Sequence, residues 1–289
     1  MKARVQILSC VIPSPVARFW RRGARDLLLG SRRFVRSAIT IGLIAVISLS
    51  AQAPEPIPLA HGNVPGEPHH HLKIENEFVR VYYVEVPPHE NTQLHQHDHD
   101  YIYVSLGPSD VVNAPLNKPE VHLTLKDGET HFTRGGFAHV ARNLSDAPFR
   151  NITIELLKPQ GEPRNLCETV IINAPLNDCE DSGSASPPAD SPLRMLARAV
   201  AVKPIFRTDK AAVKSFSISL KQNYTETDAQ HPRLLVVEDR SEVKVEIAGE
   251  ASQSVQDGGV LWLAPGKKWA IVSLGGQKTA RFLLIEFRE

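Results

Sequence analysis

The chain has 289 residues, 42% of them hydrophobic and 22% charged, a composition typical of a soluble protein with a packed core. Its formal net charge of +1 conceals an uneven distribution. Nine of the 33 basic residues precede position 54, with only Asp26 against them, so the rest of the chain has 24 basic and 31 acidic residues and a net charge of −7. Nucleic-acid binding requires a clustered basic surface, so this acidic body excludes a nucleic-acid partner.

Residues 1–53 have the pattern of an export signal. A basic stretch precedes the apolar run AITIGLIAVISL, Ala38 to Leu49, and small residues follow it. As a helix this run spans roughly 18 Å, against about 30 Å of hydrocarbon, which favours a cleaved signal over a permanent anchor. The sequence therefore predicts an exported protein, periplasmic or secreted, without a stable membrane span after cleavage. The alternative is a membrane tether formed by an uncleaved signal.

Cysteine usage agrees with export. Cys10 lies in the leader, which leaves the even pair Cys167 and Cys179 in CETVIINAPLNDC. In an oxidising compartment such a pair favours a disulfide, which is the prediction here, with two free thiols as the alternative.

The remainder divides by composition into four segments. Residues 54–73 form a flexible tether rich in proline and histidine, and residues 74–160 contain short alternating runs that predict strands of a β-sandwich or barrel. Residues 161–200 form a linker with the disulfide loop and a short helix, LRMLARAVAV, and residues 201–289 resume the strand pattern.

The two strand-rich segments resemble copies of one another. A shift of 131 residues aligns 128–155 with 259–286 without a gap, and the match includes Gly128 with Gly259, and Glu155 with Glu286. The sequence therefore predicts a duplicated β-barrel.

Histidines are concentrated in the first copy, most visibly in QLHQHDHDYIYV. Alternate side chains of a strand share a face, and one face here carries Gln93, His95, His97, His99, Tyr101 and Tyr103. Imidazoles inside a barrel need proton partners or a metal, whereas solvent-facing imidazoles need neither. The strand alone leaves both interpretations open.

The stretch GETHFTRGGFAHVARN decides between them, because with the histidine strand it resembles the two motifs of a cupin. The second cupin motif, G-x5-P-x-G-x2-H-x3-N, is matched at every spacing, with Arg134 in place of its usual proline. Of the first motif, the histidine pair H-x-H is present. The matching residues are Gly128, Gly136, His139 and Asn143 for the second motif, and His95 and His97 for the first.

This resemblance implies an all-β fold of two cupin-type β-barrels, double-stranded β-helices of jelly-roll form, following the export signal. It implies an N-terminal metal-binding barrel at 74–160 and a degenerate C-terminal copy at 201–289, in which Ala270 replaces the last motif histidine. The second barrel is then expected to cover the first or to form a homodimer.

The resemblance also implies a metal centre. Its ligands would be His95, His97 and His139, with His99 as a candidate fourth, because Tyr101 and Ile102 occupy the places of the family's glutamate. Imidazole ligation suits a divalent transition metal, namely Fe, Zn, Cu, Ni or Co, without choosing among them.

Other side chains have weaker assignments. Tyr101, Asn143 and Gln93 are supporting candidates near the metal or substrate. Tyr103 is a candidate for the same role or, as the favoured alternative, a residue that only packs in the barrel. The run His69-His70-His71 is interpreted as an exposed entry segment, with the capture or delivery of metal as the alternative.

The predicted function is therefore that of an exported metal-binding cupin, a metalloenzyme with oxidative, dioxygenase-like chemistry on a small molecule. Isomerisation is a further reaction class. The alternative is a non-catalytic module that binds a metal or small molecule.

Overall fold

The computed structural model describes residues 62–172, 174, 176, 200–227, 229–275 and 279–289. All of them lie in one compact unit, Pro56–Glu289. They form twenty β-strands and one 3₁₀ turn, Val64–Gly66, with no α-helix among the described residues. The predicted all-β fold is confirmed.

Ten strands build the first barrel. They are β1 (Gly62–Asn63), β2 (His70–Glu75), β3 (Val79–Val86), β4 (His95–His97), β5 (Tyr101–Ser105), β6 (Ser109–Pro115), β7 (Val121–Leu125), β8 (Thr130–Thr133), β9 (Phe137–Asn143) and β10 (Phe149–Leu156). Sheet A has the order β1-β4-β9-β6-β7 and sheet B the order β2-β3-β10-β5-β8.

Ten further strands build the second barrel. They are β11 (Arg164–Asn165), β12 (Val200–Arg207), β13 (Ala211–Ser219), β14 (Asn223–Glu226), β15 (Arg233–Glu238), β16 (Glu242–Ile247), β17 (Gln253–Gln256), β18 (Val260–Leu263), β19 (Trp269–Gly275) and β20 (Thr279–Phe287). Sheet C has the order β11-β12-β13-β20-β15-β18 and sheet D the order β14-β19-β16-β17.

The two barrels share one strand order. In sheet C the run β13-β20-β15-β18 repeats β3-β10-β5-β8 of sheet B, and sheet D repeats β4-β9-β6-β7 of sheet A. The aligned segments 128–155 and 259–286 contain β8 to β10 and β18 to β20 at corresponding places. The predicted duplication of the barrel is thus seen in its topology.

Apolar side chains form three buried clusters. One fills the first barrel around Tyr82 and Val111, and another fills the second around Phe216 and Trp269. The third joins residues of both barrels, because the outer faces of sheets B and C are also apolar. Those strands are buried on both faces, so the barrels share a core.

Segment boundaries differ from the prediction at the tether. Residues 62–75, mostly assigned to the tether, contribute β1 and β2, so the barrel begins before position 74. The leader 1–53, Cys179 and most of the expected helix lie outside the described residues, and the Cys167–Cys179 disulfide stays a prediction. No helix of the described part of the chain is both long and apolar enough to cross a bilayer.

Candidate metal centre

A cavity of about 60 Å³ lies inside the first barrel, between sheets A and B. Four imidazoles line it, those of His70, His95, His97 and His139. The rest of its lining is largely apolar and includes Val84, Val111, Leu123, Leu125, Ala141 and Phe149. Among the described residues that line it there is no Lys, Arg, Asp or Glu, so the cavity sets basic nitrogen donors in an apolar enclosure.

Three of these imidazoles come from the paired strands β4 and β9. His95 and His97 alternate along β4 and therefore both point into the barrel. His95 lies opposite His139 in the strand register. The ring centroid of His139 lies 4.5 Å from that of His95 and 5.2 Å from that of His97. The structure brings the three motif histidines together, while their role as ligands stays a prediction.

The fourth imidazole was missed by the sequence analysis. His70 lies on β2, an edge strand of sheet B, and its ring centroid is 4.7 Å from that of His95. One ring nitrogen from each of His70, His95 and His97 falls within 4.8 Å of the others. The His70 side chain is only 4% exposed, so the interpretation of His69-His70-His71 as an exposed segment is wrong for this residue.

The Nδ1 atoms of two motif histidines are held by oxygen atoms. Nδ1 of His95 lies 2.8 Å from the Gln93 carbonyl oxygen, and Nδ1 of His139 lies 2.6 Å from Oδ1 of Asn113. As the donor in each pair, Nδ1 carries the proton and leaves Nε2 with a free lone pair. The Nε2 atoms of His95 and His139 are buried and lack a hydrogen-bond partner.

The motif imidazoles are uncharged. Burial lowers the pKa of His95 to about 4 and holds those of His97 and His139 well below their ordinary value of 6.5. Metal ligation requires the neutral imidazole, and an unpaired buried nitrogen is costly unless something binds it. The donor set therefore fits a divalent transition metal.

A buried carboxylate, also missed from the sequence, supports His70. Oε2 of Glu67 accepts from Nδ1 of His70 at 2.5 Å and from the His69 backbone amide at 2.9 Å. Oε1 accepts from Nδ1 of His69 at 2.8 Å and from the Gln93 amide at 3.1 Å. Burial acts to raise the pKa of Glu67, but these hydrogen bonds outweigh it and lower the pKa to about 2. Glu67 is therefore ionised.

A second buried carboxylate lies beside His97. Oε1 of Glu155 lies 3.4 Å from Nδ1 of His97, without hydrogen-bond geometry, and its other oxygen lies 4.0 Å from Arg80. Burial raises the pKa of Glu155. The sequence signal for this residue is the alternation of β10, in which Asn151, Thr153 and Glu155 share the inward face.

Two tyrosines extend the aromatic lining. Tyr101 stacks on His97 with centroids 4.1 Å apart and planes at 20°, and its hydroxyl is hydrogen-bonded to Thr133. Tyr103 stacks on His131 at 4.9 Å. Burial raises the pKa of both tyrosines, so their phenols are neutral. Tyr101 thus fixes the plane of the His97 ring, while Tyr103 lines the cavity rather than serving only as packing.

Three residues predicted to lie near the metal or substrate do not line the cavity. Strand β4 ends at His97, and the chain bends through His99 before β5 begins, which interrupts the alternation on which the assignment of His99 depended. The Gln93 side chain is exposed, and this residue contributes through its backbone. Asn143 is buried but hydrogen-bonds to backbone groups outside the cavity.

The described residues of the second barrel form no such histidine cluster. Thr225 pairs with Ala270 as His95 pairs with His139, so neither position carries an imidazole. Aromatic rings fill its interior, with Phe216 and Phe282 stacked at 5.1 Å. The motif is therefore degenerate in structure as in sequence.

Comparisons with known proteins find solved structures of similar fold. No protein-family model and no curated protein matches the sequence. Among solved structures, AerE from Microcystis aeruginosa is 11% identical, covers 77% of this chain and 99% of its own, and has a TM-score of 0.50. The chain shares the fold of that protein.

Two other solved structures are similar over different lengths. A cupin domain from Bordetella pertussis Tohama I is 28% identical, over 30% of this chain and 90% of its own, with a TM-score of 0.29. A salicylate 1,2-dioxygenase from Pseudaminobacter salicylatoxidans is 10% identical, over 75% and 76%, with a TM-score of 0.49. The repeated strand order, with the histidines of both motifs lining the first barrel, shows that the chain has the fold of two cupin-type β-barrels.

Proposed function

We propose that this protein is an exported metal-binding cupin that acts as a metalloenzyme, with dioxygenase-like oxidative chemistry on a small molecule bound in the first barrel. The ligands are His95, His97 and His139, and the metal is Fe, Zn, Cu, Ni or Co. The export-signal pattern of residues 1–53 supports a periplasmic or secreted location for the mature protein.

One observation carries the proposal: His95 and His139 present buried Nε2 atoms without partners to a largely apolar cavity. A hydrophobic side chain in either place would cost less, because each unpaired polar atom costs on the order of 1–3 kcal/mol. A bound metal compensates that cost and would polarise a substrate or activate dioxygen there.

The chain's own residues orient and enclose the centre. Asn113 holds His139 in one tautomer, and the Gln93 carbonyl does the same for His95. Tyr101 stacks on His97. The apolar walls exclude water from any small molecule that enters.

Metal analysis tests the centre. The full chain, purified without a histidine tag, is measured by elemental mass spectrometry beside the double variant His97→Ala/His139→Ala. We expect about one equivalent of metal in the parent and almost none in the variant. The control is His122→Ala, which removes a largely exposed imidazole paired with Asp110. Equal, substoichiometric metal in parent and double variant would contradict the proposal.

Catalysis is tested separately by screening small molecules for oxygen consumption under air, with nitrogen as the blank. The small volume of the cavity favours a second candidate, a module that binds a metal or small ligand without turnover. A metal-loaded protein that binds a small molecule but consumes no oxygen would favour that module.

A further inference from the structure

We propose that His70 is a fourth ligand of the metal centre, supplied by strand β2 rather than by either cupin motif, and that Glu67 is the residue that positions it. This inference rests on the metal-binding function proposed above. It concerns two residues in a segment that the sequence pattern assigns to a flexible tether.

Glu67 fixes the orientation of the His70 ring through the Nδ1 atom. Its Nδ1 is 2.5 Å from Glu67, so its other nitrogen is directed away from that carboxylate. The His70 ring lies 4.7 Å from that of His95 and 6.1 Å from that of His97. Their candidate ligand atoms fall within 4.8 Å of one another. Nitrogen ligands about 2.1 Å from one tetrahedral ion lie roughly 3.4 Å apart, so a small movement of the rings brings the three atoms to that spacing.

Glu67 has a feature that a packing residue lacks. It is a fully buried carboxylate, and such a charge persists in a protein only when it is well hydrogen-bonded. Its partners are the amide of His69, the rings of His69 and His70, and the amide of Gln93. It therefore ties the segment that carries His70 to the residues that enter β4.

The same pattern recurs around the centre. His95 has a carbonyl oxygen behind its Nδ1, His139 an amide oxygen, and His70 a carboxylate. Metal-bound histidines typically have such an acceptor, which fixes the tautomer and increases the basicity of the ligand. His70 thus has the surroundings of a ligand and not of an isolated core histidine.

The motif positions leave room for another donor. Tyr101 stands at one of the two places of the family's glutamate, but its hydroxyl is hydrogen-bonded to Thr133. Ile102 stands at the other and packs in the core between the barrels. His70 supplies a neutral nitrogen in place of the carboxylate, so the completed centre has four imidazoles and its charge is set by the metal.

Pulsed EPR on the full-length protein loaded with one equivalent of Cu²⁺ tests this directly. The remote Nδ1 of each bound imidazole modulates the echo, so the number of imidazole ligands is counted. We expect four in the parent and three in His70→Ala. The matched control is His71→Ala, which removes the neighbouring exposed imidazole and leaves four.

Glu67→Gln tests the positioning role with nearly unchanged shape. We expect the Cu²⁺ dissociation constant to rise about 10- to 100-fold, the usual effect of losing a partner behind a histidine ligand. Glu67→Asp, which keeps the carboxylate, should recover part of that loss. Circular dichroism confirms that the compared variants are folded.

The outcomes separate the two proposals. Three imidazoles in the parent and the same three in His70→Ala would overturn the role of His70 and leave the motif centre intact. An unchanged dissociation constant in Glu67→Gln would overturn the role of Glu67. If the parent binds no Cu²⁺ inside the barrel, the proposed function fails and this inference fails with it.

Discussion

Among single residues, Asn143 shows how a motif position serves the fold. Its Nδ2 donates to the carbonyl oxygens of Val86, Pro87 and Ala147 at 2.8 to 3.1 Å. Its Oδ1 accepts from the Ser145 amide at 2.9 Å. These bonds hold the turn between β9 and β10, and no cavity-lining residue is among the partners.

Replacement of Asn143 by alanine should therefore weaken the fold and spare the centre. It leaves several backbone groups without partners, so we expect the free energy of unfolding to fall by about 2–3 kcal/mol. Urea denaturation measures this loss, and elemental analysis of the folded fraction should show unchanged metal content. A variant with parental stability that had lost its metal would contradict this prediction and show that Asn143 contributes to metal binding.

Some residues of the candidate centre can be predicted from the sequence and others cannot. His95, His97 and His139 follow from motif spacing, because a strand places alternate residues on one face. His70 and Glu67 do not, since His70 lies on the opposite sheet and Glu67 in the loop before it, and no local pattern encodes a contact between distant segments. Gln93 and His99 were misplaced because the alternation was extended beyond both ends of a three-residue strand.

At the scale of elements, β10 joins the candidate metal centre to the second barrel. Asn151 and Thr153 line the cavity on its inward face. Ile152 and Ile154, on the outward face, are completely buried in the cluster shared by both barrels. Polar and apolar residues alternate along this strand, but here the apolar face covers a neighbouring barrel and the polar face lines the interior.

Ile154→Ala should destabilise the whole described fold without emptying the centre. Removing a buried isoleucine side chain costs about 2–5 kcal/mol, and this one lies between the barrels. We expect calorimetry to show a lower melting temperature with one transition retained, and metal content to stay at the parental level. Two separate transitions in the variant would mean that the barrels are stabilised independently.

Strand positions were more predictable than segment boundaries. Alternating runs such as that of β3 coincide with strands because the strand period of two is visible in the sequence. β2 was assigned to the tether because its sequence HHLKIE is mostly polar, and its exposed residues conceal the inward-facing His70. An edge strand with one buried imidazole lacks the apolar pattern by which strands are found.

For the molecule as a whole, the second barrel packs against the first, and Thr225 and Ala270 stand where the first barrel has His95 and His139. Glu238, at the end of β15, lies against Gly128 in the turn before β8 of the first barrel. Gly128 has a φ of 72°, and a Cβ there would lie 2.8 Å from Oε2 of Glu238. Glycine is therefore favoured here by its backbone conformation, and a larger residue would also have to displace the Glu238 carboxyl group.

Glu238 makes the stability of the joined barrels depend on pH. Burial and the nearby carboxyl groups of Asp127, Asp239 and Glu168 raise the pKa of Glu238, and Arg281 lowers it. The net result is a pKa of about 8, with burial as the largest cause. Its ordinary value is 4.5, so between pH 4.5 and 8 the folded state binds a proton that the unfolded state has released. This contribution is fully present below pH 4.5 and is lost as the pH rises through 8.

The last prediction follows from that window. Between pH 6.5 and 8 the unfolded chain releases protons from histidines that are already neutral when buried, which raises the stability of parent and variant alike. The effect of Glu238 is therefore measured as the difference between the parent and Glu238→Gln, which keeps the shape of the side chain but cannot ionise. We expect the parent to lose about 1.5 kcal/mol of unfolding free energy relative to Glu238→Gln across this interval, measured by urea denaturation at each pH. A difference that stays constant with pH would assign the pH dependence to other groups and would leave Glu238 ionised at the junction between the barrels.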